Sequence, residues 1–458
     1  MRPYRITKKA EITVFLAMLL SVFCFFILSL IESARTEIFR YETEIYTDIA
    51  LRSCFAEYNK ELFERFDLFF ADTGYRSDEG GLERFVEHLR GYVEANTENK
   101  GEVDLLRIRL DEISVNSYRL ASDKEGEAMV EQAVIYIDKY GNEELERGPK
   151  ADKYLIDEYS HSDFTNEWDS VLSCIGFEHG DESLYPFMAV RNRVLDSEQL
   201  LRGSYMYLKS LNNMDLPSKR ELNKGVYPRE RTEDPSEEES FNAYLMEKLG
   251  CYTEYDSMQA LRCELEYMIF GNENDRENME RITDLLMSYR EGINLEYIRN
   301  SEYMLSLADE KAREYCESMG DMQYEIREAI IYSWAYAESV IEVNRLLCGG
   351  RCEPDTEGLI WIIPIDDMMF FPEYLGEGEG EGLSYRDYLE ILLYTTEYRD
   401  KRMRFMDIVE MDIRNTGYPA FKIDNCIGYA DVTMKYESGY GYRREVTDEY
   451  AYDSGILD

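Results

Sequence analysis

Three glutamates stand among apolar residues, where a carboxyl group can be tuned to move protons. Glu264 and Glu266 lie in "CELEYMIFG", and Glu338 lies in "AYAESVIEV". Two carboxylates at a set separation can run general acid/base chemistry on a wall glycan, one giving and one taking a proton. The sequence does not encode that separation. Both contexts suit structural ion pairs with Arg262, Arg327 or Arg345, or a solvent-facing position, so no catalytic residue is assigned. Asp366-Asp367 could offer oxygens to calcium, but a hard cation needs several convergent ligands and the EF-hand pattern is absent, so a solvated turn is expected. "GEGEGEG" (Gly376 to Gly382) has glycine spacing like that of a dinucleotide loop. Its three glutamates would repel phosphate, and no strand-then-helix context surrounds it.

Other chemistry is poorly supplied. Histidine occurs only as His88, His161 and His179, far apart and without ligand spacing, which argues against a zinc site or a histidine-based triad. GxSxG, Walker and SxxK motifs are absent. No metal ligand, cofactor-binding residue or small-molecule substrate is assigned, and a non-enzymatic protein is expected. Nine cysteines include no CxxC pair; they are read as small buried hydrophobes or free thiols, with one or two disulfides open to an exported domain.

The 458 residues carry a formal net charge of −43. That charge argues against nucleic acid, whose binders need clustered Lys and Arg, and against lying flat on anionic lipid. It suits a chain that stays soluble outside a cell, or meets cations or a basic partner. Hydrophobic residues make up 44%, enough for a sizeable core, and 38 tyrosines supply rings with polar tips.

These residues must be positioned by elements that begin with an apolar run. Ile12 to Ile31 contains twenty uncharged residues, about 30 Å of helix, which matches a bilayer core. The run is longer than a secretory apolar region and lacks a small-x-small cleavage site, since cleavage after Ala34 would put Glu32 at the −3 position. A retained transmembrane helix is expected, with Ile12, Phe15, Leu19, Leu20, Phe23, Phe26, Leu30 and Ile31 as its membrane anchor. Arg2, Arg5, Lys8 and Lys9 precede it, so the N-terminus is placed in the cytoplasm and the remainder outside.

From Glu32 to Phe66 there is no Gly and no Pro, so the helix is expected to continue as a spine. Ile31, Ile38 and Ile45 recur at seven, with Ile49 on the same face. This stripe could be a seam for a partner helix or could pack on the chain's own head. Phe55, Tyr58, Leu62 and Phe66 form a second stripe turned relative to the first, so the buried face rotates or the helix kinks.

A basic tip followed by an apolar helix that becomes the spine of an extracellular head is the plan of type IV pilins. "AEITVFLAMLL…LIESAR" resembles the N-terminus of tight-adherence (Tad) pilus minor pseudopilins of the TadE/TadG type. The chain more closely resembles an uncharacterised family of membrane-anchored proteins from gram-positive bacteria associated with such pilus systems. "FAEYNKELFERFDLFF", "CELEYMIFGN", "WAYAESVIEVNRLLCGG" and "LSYRDYLEILL" add to that resemblance. The resemblance implies a location and a neighbourhood, with pilus or pseudopilin subunits as partners besides the membrane, and no activity. The chain departs from the type IV prepilin pattern: Ala10 stands where Gly is usual, and a cut after it would put Phe15 where those prepilins carry Glu.

Further along, "VDLLRIRLDEISVNSYRLAS" alternates like a strand, "EGEAMVEQAVIYIDKYG" reads as a helix closed by Gly141, and residues from about 240 to 347 are helical in pattern. "GLIWII" (358–363) reads as a buried strand, and the tail as a hairpin turning near Ser438-Gly439. The expected fold class is α+β: a transmembrane helix continuing into a helical spine, then an extracellular head with a small antiparallel sheet and a large, mostly helical insertion. The expected boundaries are 1–11 for a cytoplasmic tip, 12–31 for the span, 32–70 for the spine and 71–458 for the head, with the insertion at about 151–350. The expected function is a membrane-anchored extracellular component of a Tad-type pilus or secretion system. The alternative is an anchored surface hydrolase or wall-binding module.

Overall fold

The computed structural model describes residues 5–77, 80–98, 106–141, 208–209, 215–228, 236–256, 259–316, 322–376 and 380–452, with Ser170, Phe187 and Val190, and of 5–11 the backbone alone. Arg2, His161, His179, Cys174, part of "GEGEGEG" and the expected start of the insertion at 151 lie outside the described residues. The chain is mostly helical α+β and forms two compact units. The first comprises 1–132, 222–231 and 420–458; the second comprises 133–221 and 232–419.

In the first unit, α1 (Arg5–Ala56) is one helix of 52 residues. It ends before the expected spine boundary at 70, because the backbone turns to bond elsewhere. Asn59 N–H donates to Phe70 O at 2.9 Å, and Tyr58 bridges to Ala71. Asn59 then caps α2 (Lys60–Phe66), its side chain accepting from Leu62 N–H at 2.9 Å. The turned second stripe is thus a break: Phe55, Leu62 and Phe66 are all buried, on two helices.

The unit continues through β1 (Ala71–Asp72), α3 (Leu82–Thr97), β2 (Ile108–Leu120) and the first part, to Gln132, of α4 (Asp123–Tyr140), then β3 (Cys426–Ser438) and β4 (Arg443–Ala451). All pairings are antiparallel. The central strand β3 pairs β2 from Ile108↔Ser438 to Leu120↔Ile427, pairs β4 from Tyr429↔Ala451 to Glu437↔Arg443, and pairs β1 at Ala71↔Ile427. Alternate β3 residues Ala430, Val432, Met434 and Tyr436 point into a core shared with Phe39, Leu51 and Phe55 of α1 and Phe85, Leu89 and Val93 of α3. Burying each large apolar side chain contributes about 1.5–3 kcal/mol.

The second unit holds α5 (Ser236–Lys248), α6 (Glu264–Phe270), α7 (Asp275–Asn300), α8 (Glu302–Cys316), α9 (Gln323–Leu347), α10 (Tyr385–Thr395) and α11 (Tyr398–Asn415). It runs past the expected limit of 350 to Pro419. The later helices pack on the earlier ones: the Phe241 and Phe405 rings meet edge to face at 5.6 Å, and Tyr267 Oη donates to Asp407 Oδ2 at 2.7 Å. Ser384 opens α10 with a capping box closed by Asp387. "GLIWII" is not a strand and lies in this unit, not in the sheet. The eight described cysteines are free thiols.

Candidate functional site: the N-terminal helix and the buried carboxylates

Ile12–Ala56 is long and apolar enough to cross a membrane, and its apolar window is wholly exposed, consistent with a single membrane anchor or a signal sequence. All eight anchor residues, from Ile12 to Ile31, stand exposed. Past Ile31 the helix has two opposed faces. Phe39, Thr43, Thr47, Ala50, Leu51 and Cys54 are buried against the first unit's core. The threonine hydroxyls on that face are satisfied: Thr43 Oγ1 donates to Phe39 O at 2.9 Å, and Thr47 Oγ1 meets Tyr436 Oη at 2.9 Å. Along its edge Tyr442 bonds Glu32, Arg444 bonds Glu44, and the Arg35 guanidinium lies 4.6 Å over the Tyr440 ring.

The isoleucine stripe is on the other side. At 100° per residue, Ile31, Ile38, Ile45 and Ile49 centre about 135° away from Phe39, Thr43 and Thr47. Ile38 is 47% exposed, Ile49 40% and the neighbouring Tyr41 66%, with Ile45 half-buried. The head packs on the face with the threonines, not on the isoleucines.

The glutamates occupy the second unit and are fully buried. Glu264 Oε2 accepts from Gly250 N–H at 3.0 Å and Gln259 Nε2 at 2.5 Å. Glu266 Oε1 accepts from Tyr252 N–H at 2.9 Å and Tyr385 Oη at 2.6 Å, while its Oε2 has no hydrogen-bond partner among the described residues. Burial pushes the Glu266 carboxyl up to about 7 against the pull of those donors. Glu338 accepts from Ile362 N–H and Ile363 N–H, both at 2.9 Å, and is pushed up to about 8 by burial and by the neighbouring Glu342.

The expected pairings with Arg262 and Arg327 are corrected, while the Arg345 charge acts on Glu338 and pulls its carboxyl down against burial. Arg262 stacks over Tyr252 and Tyr255, and Arg327 pairs with Glu328 and Asp309. Backbone N–H groups reach the carboxylates instead, because irregular buried segments must place their donors somewhere. This also accounts for "GLIWII": a strand neighbour is not needed where a carboxylate takes two of its N–H groups. Glu264 and Glu266 serve the 250–259 loop, and Glu338 serves 362–363. Asp366 is held by Lys311 Nζ at 2.6 Å, and Asp367 accepts from Tyr374 Oη at 2.8 Å.

A family model described as a family of unknown function (DUF5702) matches residues 198–438, just over half of the chain. The chain belongs to that family. No curated protein and no solved structure matches it.

The DUF5702 match takes in every buried carboxylate described above and leaves α1 outside. It also holds charged groups that the sequence reading passed over. Arg290 is fully buried and clasps Glu342 at 2.9 and 2.6 Å, with Asn294 joining Glu342 at 2.8 Å. Lys401, equally buried, donates to Glu238 at 2.6 Å and Asn242 at 2.9 Å, and burial lowers its pKa. One signal was available: Glu338 and Glu342 stand four apart within the largely apolar stretch 329–343 of α9, so both must face inward with a partner. In the first unit a cleft of about 210 Å³ is lined by Thr73, Asn223, Lys224, Asp424 and Asn425. Its polar groups bond one another, with Asn223 Nδ2 donating to Asn425 Oδ1 at 3.1 Å and Thr73 Oγ1 to Asn425 O at 2.7 Å.

Proposed function

We propose that this DUF5702 protein is a single-pass, membrane-anchored surface protein that works without catalysis, as a minor pseudopilin-like or accessory component of a Tad-type pilus or secretion system. Its N-terminus would lie in the cytoplasm and its head outside, as the basic residues before Ile12 favour. The observation that carries this reading is the division of labour on α1. One helix supplies a membrane-length apolar segment, a face buried in the head's core, and an exposed isoleucine face on the opposite side. A helix that served only as an anchor would need no such third surface. Likeness of the N-terminal segment to Tad pseudopilins supports the choice of system. The buried carboxylates support a non-enzymatic head, since both oxygens of Glu338 and one each of Glu264 and Glu266 accept from the chain's own N–H, amide or hydroxyl groups.

The test is the mature N-terminus, read by mass spectrometry on the membrane fraction of cells making the full chain, together with co-purification. A start at or near Glu11, with pilus subunits retained through the helix, supports the proposal. A start near Arg35, with the chain in the medium, overturns the anchor. A start at Met1 or Arg2 with no pilus protein retained overturns the pseudopilin reading and leaves an anchored head.

A further inference from the structure

The sheet of the first unit turns one end toward the apolar segment. β4 runs alongside α1: Tyr450, near its far end, stacks on Phe55 at 4.7 Å. Tyr442, just before its start, has its ring 5.9 Å from that of Phe39 and its hydroxyl bonded to Glu32. Glu32 is the first residue after the apolar run that ends at Ile31. The turn between β3 and β4, Gly439 to Tyr442, therefore lies at the end of the sheet nearest the bilayer. The Arg35 guanidinium lies over the Tyr440 ring at the tip of that turn, 4.6 Å from it. Arg35 stands about 6 Å past Ile31 along the axis. A bilayer adds about 5–7 Å of headgroups to each side of its hydrocarbon. The tip thus falls at headgroup depth.

The composition of the tip suits that depth. Tyr440 is 49% exposed, and tyrosine rings with polar ends gather at the boundary of membrane and water. Arginines surround it. Gly439 N–H donates to Leu106 O at 3.1 Å and to Arg107 O at 3.0 Å, which ties Arg107 to the turn. Arg109 stands across from Glu437, and Glu437 across from Arg443, on neighbouring strands. Arg107, Arg109 and Arg443 are all exposed. With Arg35 they set four guanidinium groups against two carboxylates, Glu32 and Glu437, among the described residues of this end. Glu37 and Arg40, further out on α1, offset each other. Two residues back along β3 the balance reverses, with Lys435 between Glu112 and Glu445 at 2.8 and 3.8 Å. The basic excess is confined to the tip. Charges more than about 8 Å away are largely screened at physiological salt, so this end answers to its own arginines more than to the chain's net charge of −43.

We infer that the turn between β3 and β4 is a second membrane contact, in which Tyr440 enters the headgroup layer and Arg107, Arg109 and Arg443 bind the phosphates of anionic phospholipids. A single span is free to tilt, and a turn bound to headgroups beside it sets how the first unit meets the surface. The inference rests on the membrane-anchor reading above and is independent of the pilus link.

The test uses the full chain in vesicles of phosphatidylcholine, alone or mixed with phosphatidylglycerol. A benzophenone amino acid replaces Tyr440, Tyr41 or Phe23 in turn, and lipid adducts are measured by mass spectrometry after irradiation. Tyr41 is 66% exposed but stands about 15 Å past Ile31, beyond the headgroups, while Phe23 lies within the apolar run. The probe replacing Phe23 is expected to label lipid in both mixtures, and the probe replacing Tyr41 in neither. The probe replacing Tyr440 should label well above the Tyr41 level, and about fivefold more with phosphatidylglycerol present. Arg109→Gln/Arg443→Gln should remove that gain while circular dichroism stays unchanged. Labelling from the Phe23 position, with none from Tyr440 above the Tyr41 level, overturns the inference and leaves the anchor standing. Labelling from Tyr440 that ignores both phosphatidylglycerol and the two arginines overturns the assignment to anionic headgroups. No labelling from any of the three overturns the anchor reading and the inference with it.

Discussion

Thr47 Oγ1 and Tyr436 Oη lie 2.9 Å apart in the core of the first unit, joining the helix that carries the apolar segment to the central strand of the sheet. Thr47 Oγ1 also lies 2.9 Å from Thr43 O, and Tyr436 Oη lies 3.3 Å from Met434 Sδ, so each hydroxyl has a second acceptor beside it. Tyr436→Phe removes that bond while leaving the threonine proton placed. The expected cost is about 0.5–1.5 kcal/mol, read as a lower midpoint in urea unfolding of the detergent-solubilised chain. No change would mean that the helix and strand do not depend on this bond.

The two faces of α1 should respond differently to substitution. Phe39→Ala empties a core position and is expected to cost about 3–5 kcal/mol. Ile38→Ser and Ile49→Ser, at exposed positions, should each stay within about 0.5 kcal/mol. Thermal unfolding of the three variants checks the assignment, and a large loss at Ile38 would show that the head covers that face.

The Arg290–Glu342 pair is buried, so breaking it should cost far more than its net worth. Arg290→Met leaves the Glu342 carboxylate without its guanidinium, an expected loss of about 3–5 kcal/mol. Adding Glu342→Leu should restore much of that stability. Comparison of the two denaturation midpoints decides it: a double variant as poor as the single one would refute a charge-based cost.

Stability should depend on pH in an unusual direction. Burial, the largest cause for both groups, raises Glu266 to about 7 and Glu338 to about 8, from an ordinary value near 4.5. An acid whose folded pKa is raised binds its proton more tightly in the folded state. Its contribution is full below about 4.5 and is lost as pH rises through the folded values. The second unit should therefore be more stable at pH 5 than at pH 8. Glu266→Gln should flatten the part of that slope below about 7, measured as unfolding midpoint against pH.

Ser384 closes a capping box with Asp387 at the start of α10, and Tyr385 of that helix reaches Glu266. Ser384→Ala is expected to cost about 1 kcal/mol. A matching fall in amide-exchange protection over Tyr385–Thr395 would locate the loss in that helix.

Local pattern alone was enough to read several features of this chain. The apolar run of Ile12 to Ile31, the helices from Glu264 to Leu347 and the hairpin after Cys426 are set by periodicity, caps and turn residues close in sequence. The heptad spacing of the isoleucines was legible in the same way. Which face of α1 the head would bury was not, because Phe39, Thr43 and Thr47 make a weaker apolar stripe than the isoleucines. Their role depends on a sheet whose central strand lies nearly 400 residues further on, where the Tyr436 hydroxyl meets that of Thr47. "GLIWII" failed as a strand for a related reason. A short apolar run has the composition of a strand, but whether its N–H groups find a neighbouring strand or a buried carboxylate is decided by what the fold brings beside it. Here that is Glu338, from a helix two dozen residues earlier. Burial and pairing are relations between distant parts of the chain, so the ionic partners of the glutamates and the free face of α1 belong to the tertiary structure.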